Sequence, residues 1–410
     1  MTDKVPFYKT SIYRRWFTAD TSLAIGGALW SFSFPLVAFA LTQDVQASGW
    51  AVTASEIIGQ IAYFFGGTVV DRRDRRKLMI LQASSAIIIW GFISVLLIIH
   101  ALTLPVLVIA VCIYTLMSTV ISPASNAMLL SIVSTEDFPQ ANSVNESRDS
   151  VVEMASSPFG GVLYAFAHWL PFLGTVLVNI VGLIASILIP QLPRPEGTKQ
   201  DSFIKEFVTG WKWAYQKKTI VSTCIVAMIM NFGLVGEGYL IELHLVSRGV
   251  SAVQIGFLST ALMLGILLGS IISTALTPKV HGGFTIIISF FIMALVLVPL
   301  IFTDNFWVIL VSNFLLGLPF PLMHAMLLGF TYTKTPENMQ GRVQSAIGGP
   351  GGLLAMFGGA VAGWLLAHTS WMVSIILFIV FILAGATISI FSSGIRSIPH
   401  TDQWDSFEML

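Results

Sequence analysis

Twelve apolar runs, each close to the twenty or so residues that a hydrocarbon core demands, leave this chain few ways to fold. They cover approximately residues 16–40, 48–70, 78–99, 103–131, 142–167, 171–190, 219–246, 252–276, 284–302, 306–332, 342–367 and 371–393. Backbone in lipid must satisfy its own hydrogen bonds, which admits helices or a closed barrel. Barrels are written as short alternating strands, so these long continuous runs predict helices. The composition agrees, with 55% hydrophobic and 10% charged residues against about a quarter charged in soluble domains. Zero net charge gives no electrostatic footing for nucleic acid. Cys112 and Cys224 lie within apolar runs and suggest neither a disulfide framework nor a metal site. The first run is too long for a signal-peptide core and lacks a small-residue cleavage site, so it is expected to be a retained helix.

Lysine and arginine set the expected orientation. Every basic residue except Arg248 falls on one side of this twelve-span scheme, with Arg72, Arg73, Arg75, Arg76 and Lys77 as the densest group. The positive-inside rule then places both termini in the cytoplasm of a multi-pass protein of the cell inner (plasma) membrane.

The chain reads as two similar halves. Ala127-Met128-Leu129-Leu130 recurs as Ala325-Met326-Leu327-Leu328, and Thr135, Gln140 and His168 recur as Thr335, Gln340 and His368. The expected organisation is an N-terminal six-helix bundle over 1–190, a linker over 191–218 and a C-terminal six-helix bundle over 219–410. In the linker, Phe203, Ile204, Phe207, Val208 and Trp211 share one helical face opposite Lys205, Glu206 and Lys212, which predicts an amphipathic surface helix; a solvated linker helix is the other reading. Parallel repeats of this kind are a transporter architecture with the binding site between halves.

Between the second and third runs stands Gly67-Thr68-Val69-Val70-Asp71-Arg72-Arg73-Asp74-Arg75-Arg76-Lys77. A glycine permits close helix approach, and arginines can pair bidentately with carboxylates or phosphates. This pattern, G-x-x-x-D-R-x-x-R-R-K between two apolar helices, resembles the cytoplasmic loop 2–3 motif of the major facilitator superfamily. The resemblance implies an all-α fold of twelve transmembrane helices in two pseudo-symmetric bundles. It also implies that Gly67, Asp71, Arg72, Arg75 and Arg76 form a conformational latch; a purely topogenic charge cluster is the bland alternative. Within that superfamily the chain is similar to the drug:proton antiporter branch that includes macrolide efflux pumps and enterobactin-type siderophore exporters. The features are Pro123-Ala124, Gln140-Ala141-Asn142-Ser143, Ser157-Pro158-Phe159-Gly160-Gly161, Ser251 to Leu258, Thr335-Pro336-Glu337 and Gly341-Arg342. Span five resembles that family's glycine-rich antiporter motif, with Pro158 and Gly161 as packing or hinge positions, but Ser157 and Glu153 stand where the family has glycine.

An ionised side chain in mid-membrane costs at least about 2.5–3.5 kcal/mol and calls for an explanation. Asp20, Glu56, Asp149, Glu153, Glu237 and Glu242 all fall within predicted spans. Asn142, Glu146, Asp149, Glu153 and Ser157 form one stripe on span five, expected to face a central cavity. At a rise of about 1.5 Å per residue, Asp149 lies about 10 Å and Glu153 about 16 Å from the start of that span, and Glu56 about 12 Å from the start of span two. Arg148 points away from the stripe and is expected to pair with a carboxylate of another helix. Glu153, Asp149, Glu56 and Asp20, with Arg148, are the candidate proton-coupling or substrate residues; structural ion pairing is the competing reading. Glu237, Glu242 and His244 sit near the far end of span seven and read as vestibule residues, and His324 as a simply hydrogen-bonded histidine. Gly348-Gly349-Pro350-Gly351-Gly352 lacks the lysine of a phosphate loop and reads as a packed hinge.

With no nucleotide-binding motif, the expectation is a non-enzyme that uses no cofactor and is driven by a proton gradient. The leading reading is a monomeric proton-coupled exporter of an amphipathic small molecule by alternating access. Import of a metabolite and a non-transporting receptor or assembly protein stay open.

Overall fold

The computed structural model describes residues 6–134, 136–191, 211–336, 340–404 and 406–407, and all regular structure among them is helical. The side chains of residues 65–72, 340–342 and 344–345 fall outside the description. In chain order the long helices are α1 Ser11–Thr42, α2 Val45–Arg72, α3 Arg75–Ile98, α4 Leu104–Ile132, α5 Phe138–Phe166 and α6 Leu170–Leu188. The second series is α7 Lys218–Ser247, α8 Ala252–Lys279, α9 Gly282–Phe302, α10 Phe306–Thr333, α11 Ala346–His368 and α12 Trp371–Phe391. Ten of these are long and apolar enough to cross a bilayer, by length and composition, among the described residues. The other two, α2 and α5, are also long enough; α5 carries Glu146, Arg148, Asp149 and Glu153 in its polar first half. The expected amphipathic linker helix lies outside the described residues except for its end, where residues 211–215 are helical.

The helices group into two compact units. Unit 1 comprises Met1–Gln43, Ala54–Thr198 and Gly249–Thr260, and unit 2 comprises Asp44–Thr53, Lys199–Arg248 and Ala261–Leu410. In unit 1, α1 lies along α6 with small residues at the crossings: a side chain at Gly26 would strike Asn179, and one at Gly182 would strike Ser22. Close approach through such residues is how helices pack where the surroundings are as apolar as the interior. One end of the unit is filled by Tyr13, Trp16, Met79, Met128, Leu129 and Ile189. Nearer the other end, buried Trp90 stacks on Trp30 and on Phe172, with ring centroids 4.9 and 5.4 Å apart.

In unit 2, α7 packs on α12, where Gly236 accommodates Phe378 and Gly233 accommodates Ile382. The first turns of α2 belong here and lie on α11 through Gly49 and Gly359. α11 breaks into a short 3-10 turn at Ala355–Phe357, and Thr53 Oγ1 accepts a hydrogen bond from Ala360 N at 2.8 Å. A side chain thus serves a backbone group beside the break, as lipid-embedded structure requires.

Prolines inside α5 and α11 are handled alike. Pro158 cannot donate to Met154 O four residues back, and Thr260 Oγ1 of α8 donates to that carbonyl at 2.9 Å. Pro350 cannot donate to Ala346 O, and Cys224 Sγ of α7 donates to it at 3.3 Å. The repeated histidines also behave alike. His168 follows α5 and stacks on Tyr164, and His368 ends α11 and stacks on Trp364, with centroids 4.5 and 5.1 Å apart. The repeated Ala-Met-Leu-Leu is α-helical in α4 but lies in a π-helical stretch, Ala325–Gly329, in α10.

Candidate functional site

The most developed polar cluster lies inside unit 1, where α1, α4 and α5 meet. Trp16 on α1 is fully buried and anchors the group: its Nε1 donates to Ser125 O at 3.0 Å and to Ser125 Oγ at 3.1 Å. Ser125 Oγ in turn donates to Asp20 Oδ1. One helical turn separates Trp16 from Asp20, so burying the indole fixes where the carboxylate points. Arg148 on α5 meets Asp20 Oδ2 through Nη2 at 2.5 Å and donates through Nη1 to Thr21 Oγ1 at 2.8 Å. It also bonds Asn145 Oδ1, one turn back on α5, and reaches Asp149 Oδ1 at 2.9 Å. Its guanidinium lies over the Phe17 ring, 5.4 Å from the centroid. This cation is 9% exposed, against 15% for Asp20 and 46% for Asp149.

The geometry is that of one guanidinium between two carboxylates of unequal exposure. A single positive charge thus faces two acids, Asp20 nearly buried with it and Asp149 half-exposed. The apolar shell of Trp16, Phe17 and Tyr13 raises the strength of every charge interaction within it.

Arg148 was expected to find its partner on another helix; that partner is Asp20, while its sequence neighbour Asp149 takes the other side. Glu153 and Glu146 are exposed on the same helix, and Glu56 on α2 is exposed as well. Pro158 sits inside α5, and Gly161 meets the backbone of Ala252, where a Cβ would collide. Of the latch residues, Gly67, Asp71 and Arg72 have side chains outside the described set. Arg75 Nη1 donates to Ala127 O of α4 at 2.8 Å, and Arg76 Nη2 to Ile187 O, in the last turn of α6, at 2.6 Å. Thr21, Ser125 and Asn145 escaped the sequence reading. Asn145 carried a signal, standing three residues before Arg148 and hence on its face.

The vestibule assignment of Glu237 needs correction. Glu237 is 2% exposed, and its Oε1 has no hydrogen-bonding partner among the described residues. It shares a helical face with Gly233, which packs on Ile382 of α12, and with fully buried Leu240, rather than with open solvent. Glu242 Oε1 is likewise shielded and unpartnered among the described residues. His244, by contrast, joins a cluster at the end of α7: its Nε2 lies 3.0 Å from Asp304 Oδ2, which also pairs with Arg248, and its ring stacks on Trp371. Partial burial pushes the Asp304 carboxyl up, but the His244 hydrogen bond and the Arg248 charge outweigh it and hold the group below the ordinary carboxylate value. His324 stacks on Phe320.

Many membrane transporters are built as paired sets of long apolar helices carrying buried charge, and comparison with known proteins agrees with that class. The chain belongs to the Major Facilitator Superfamily, whose model matches residues 20–248 and again 223–405, once per half. It is 23% identical over 344 residues to the enterobactin exporter EntS of Salmonella choleraesuis, covering 81% of this chain and 80% of that one. It is 24% identical over 371 residues to the macrolide efflux protein A of Streptococcus pyogenes, covering 84% and 87%. Among solved structures, the nucleoside transporter NupG superposes with a TM-score of 0.71 at 12% identity, over 93% of this chain and 98% of that one. A bacterial homologue of the iron transporter ferroportin does so at 0.69 and 15%, over 93% and 98%. These structural likenesses establish the fold.

Proposed function

We propose that this major facilitator superfamily transporter is a proton-coupled exporter of an amphipathic small molecule, working by alternating access. The observation that carries the reading is the Asp20–Arg148–Asp149 arrangement. Two acids compete for one buried cation, so the position of a proton and the pairing of Arg148 depend on each other. A proton on one acid leaves Arg148 with the other; its departure frees a carboxylate for a cationic or hydrogen-bonding cargo. Glu153, one turn beyond Asp149, extends the acidic path along α5. One charge crossing 100 mV is worth about 2.3 kcal/mol, enough to drive substantial accumulation. The enterobactin and macrolide exporters among the relatives support the outward direction and an amphipathic cargo. The uneven spread of basic residues supports cytoplasmic termini in an inner membrane, and the transporter is taken to act as a monomer without a cofactor.

Everted membrane vesicles with an acidified interior test this. An exporter accumulates a macrolide or enterobactin inside them, and collapsing the pH gradient releases it. Accumulation instead in right-side-out vesicles would reverse the assigned direction. Uptake indifferent to the gradient in both orientations would remove proton coupling.

A further inference from the structure

Unit 1 carries a second feature that the transport reading does not use. Of the basic residues that open α3, Arg75 and Arg76 are spent on the carbonyls of Ala127 and Ile187. Arg73 and Lys77 are not: both are exposed, and neither side chain has a hydrogen-bond or ion-pair partner among the described residues. The nearby carboxylate of Asp74 is already engaged, capping α3 through the N–H groups of Arg76 and Lys77 and taking a hydrogen bond from Gln191. These two cations stand at the mouth of a cavity of about 530 Å³ between α3 and α4. That volume falls in the range of roughly 300–1,000 Å³ usual for ligand sites. Below the mouth its walls are apolar, formed on α3 by Leu78 and Leu81 and on α4 by Leu116, Met117 and Val120. Leu81 and Leu116 are each 46% exposed, so the groove opens sideways on the apolar belt of the helices as well as at their basic end.

We propose that this groove is a binding site for one anionic glycerophospholipid. Its phosphate-bearing headgroup rests between Arg73 and Lys77, and the upper part of an acyl chain runs along Leu81, Leu116 and Val120. Asp74 lines the same end, but its carboxylate is held by the α3 cap and Gln191; the two free cations there and the apolar trough below match the two parts of such a molecule. A free phosphate would use the cations and leave the trough empty; a zwitterionic lipid would fill the trough and bring no net charge to the cations. The site requires both. Its position on α3 and α4 is separate from the Asp20–Arg148–Asp149 cluster, so it stands or falls independently of the proposed coupling.

Delipidated, purified full-length protein is mixed with equal amounts of phosphatidylglycerol and phosphatidylcholine, and the lipid retained is counted by native mass spectrometry. The proposal expects selective retention of one phosphatidylglycerol. A basic residue near the membrane surface is worth about fivefold in anionic-lipid affinity, so Arg73→Gln and Lys77→Gln each cut the preference about fivefold, and together about twenty- to thirty-fold. Val120→Trp, which fills the trough and leaves the cations in place, abolishes retention as well. Excess inorganic phosphate leaves it intact. Equal retention of the two lipids, an unchanged preference in the double variant, or displacement by phosphate would overturn the proposal. Thermal unfolding of each variant, unchanged from the parent in lipid-free detergent, shows that the loss is one of binding and not of folding.

Discussion

The buried Arg148 pair makes a quantitative prediction for Asp20→Asn. The substitution preserves shape and an acceptor for Ser125, and removes the charge facing the guanidinium. Stripping one partner from a buried ion pair costs about 3–5 kcal/mol, mostly because the other charge is stranded. Here Arg148 is 9% exposed and keeps Asp149 together with Asn145 and Thr21, while Asp20 itself is 15% exposed. About half of that cost, ~2 kcal/mol, is expected. For a unit of this size 1 kcal/mol moves the melting temperature by about 2–4 °C, so Asp20→Asn should lower Tm by about 4–8 °C. Asp149→Asn, at the 46% exposed partner, should cost about 0–1 kcal/mol, as surface pairs do. The double variant Asp20→Asn/Arg148→Gln should fall short of additivity by about 1–2 kcal/mol, because the stranded charge is gone. Tryptophan-fluorescence melts of the purified protein in detergent give all of these values. An Asp20→Asn variant no less stable than Asp149→Asn, or additive single effects, would refute the assignment of Asp20 as the principal partner.

Other outcomes follow from particular contacts. Thr260→Val removes the donor serving Met154 O and should cost about 1 kcal/mol; in a Pro158→Ala background, where residue 158 can donate instead, the cost should shrink, as paired melts would show. Glu237→Gln should leave the melting temperature unchanged or raise it, since no cation meets Glu237 Oε1 among the described residues; a fall of several degrees would reveal a partner that stabilises the charge. The depressed Asp304 carboxyl contributes stability that is present above its unfolded value of about 4 and is lost as pH falls through its lower folded value. Asp304→Asn should therefore cost up to about 1 kcal/mol at pH 7 and progressively less as pH falls below about 4, which melts across that range would reveal. Gly161→Val drives a side chain into the Ala252 backbone and should cost about 1–3 kcal/mol, read from the same melts, with Gly161→Ala intermediate.

Much of this was legible in the linear sequence because hydrophobic thickness and charge asymmetry act through composition. The positions of the long helices and the two-fold repeat needed no tertiary information, and the stacked His168 and His368 show that the repeat reaches into local structure. Partner choice was less accessible. That Arg148 needs an acid on another helix follows from the cost of a lone buried charge, but selecting Asp20 depends on how Trp16 seats α1 against Ser125. Glu237 was misplaced for a related reason. Closeness to a helix end suggested open water, whereas its own face is buried, with Gly233 packed on α12 and Leu240 fully enclosed. The π-helical stretch at Ala325–Gly329 has the same tetrapeptide as an α-helical one, so local sequence alone does not decide it.

The most direct test of the coupling account is proton release by purified transporter on addition of cargo, followed with a pH-indicating dye in weak buffer. If Asp20 and Asp149 share one cation and one proton, enterobactin or a macrolide should expel about one proton per molecule bound. Asp149→Asn should bind the cargo without expelling it. Binding that releases no proton from the parent protein, or release undiminished in the variant, would contradict the account.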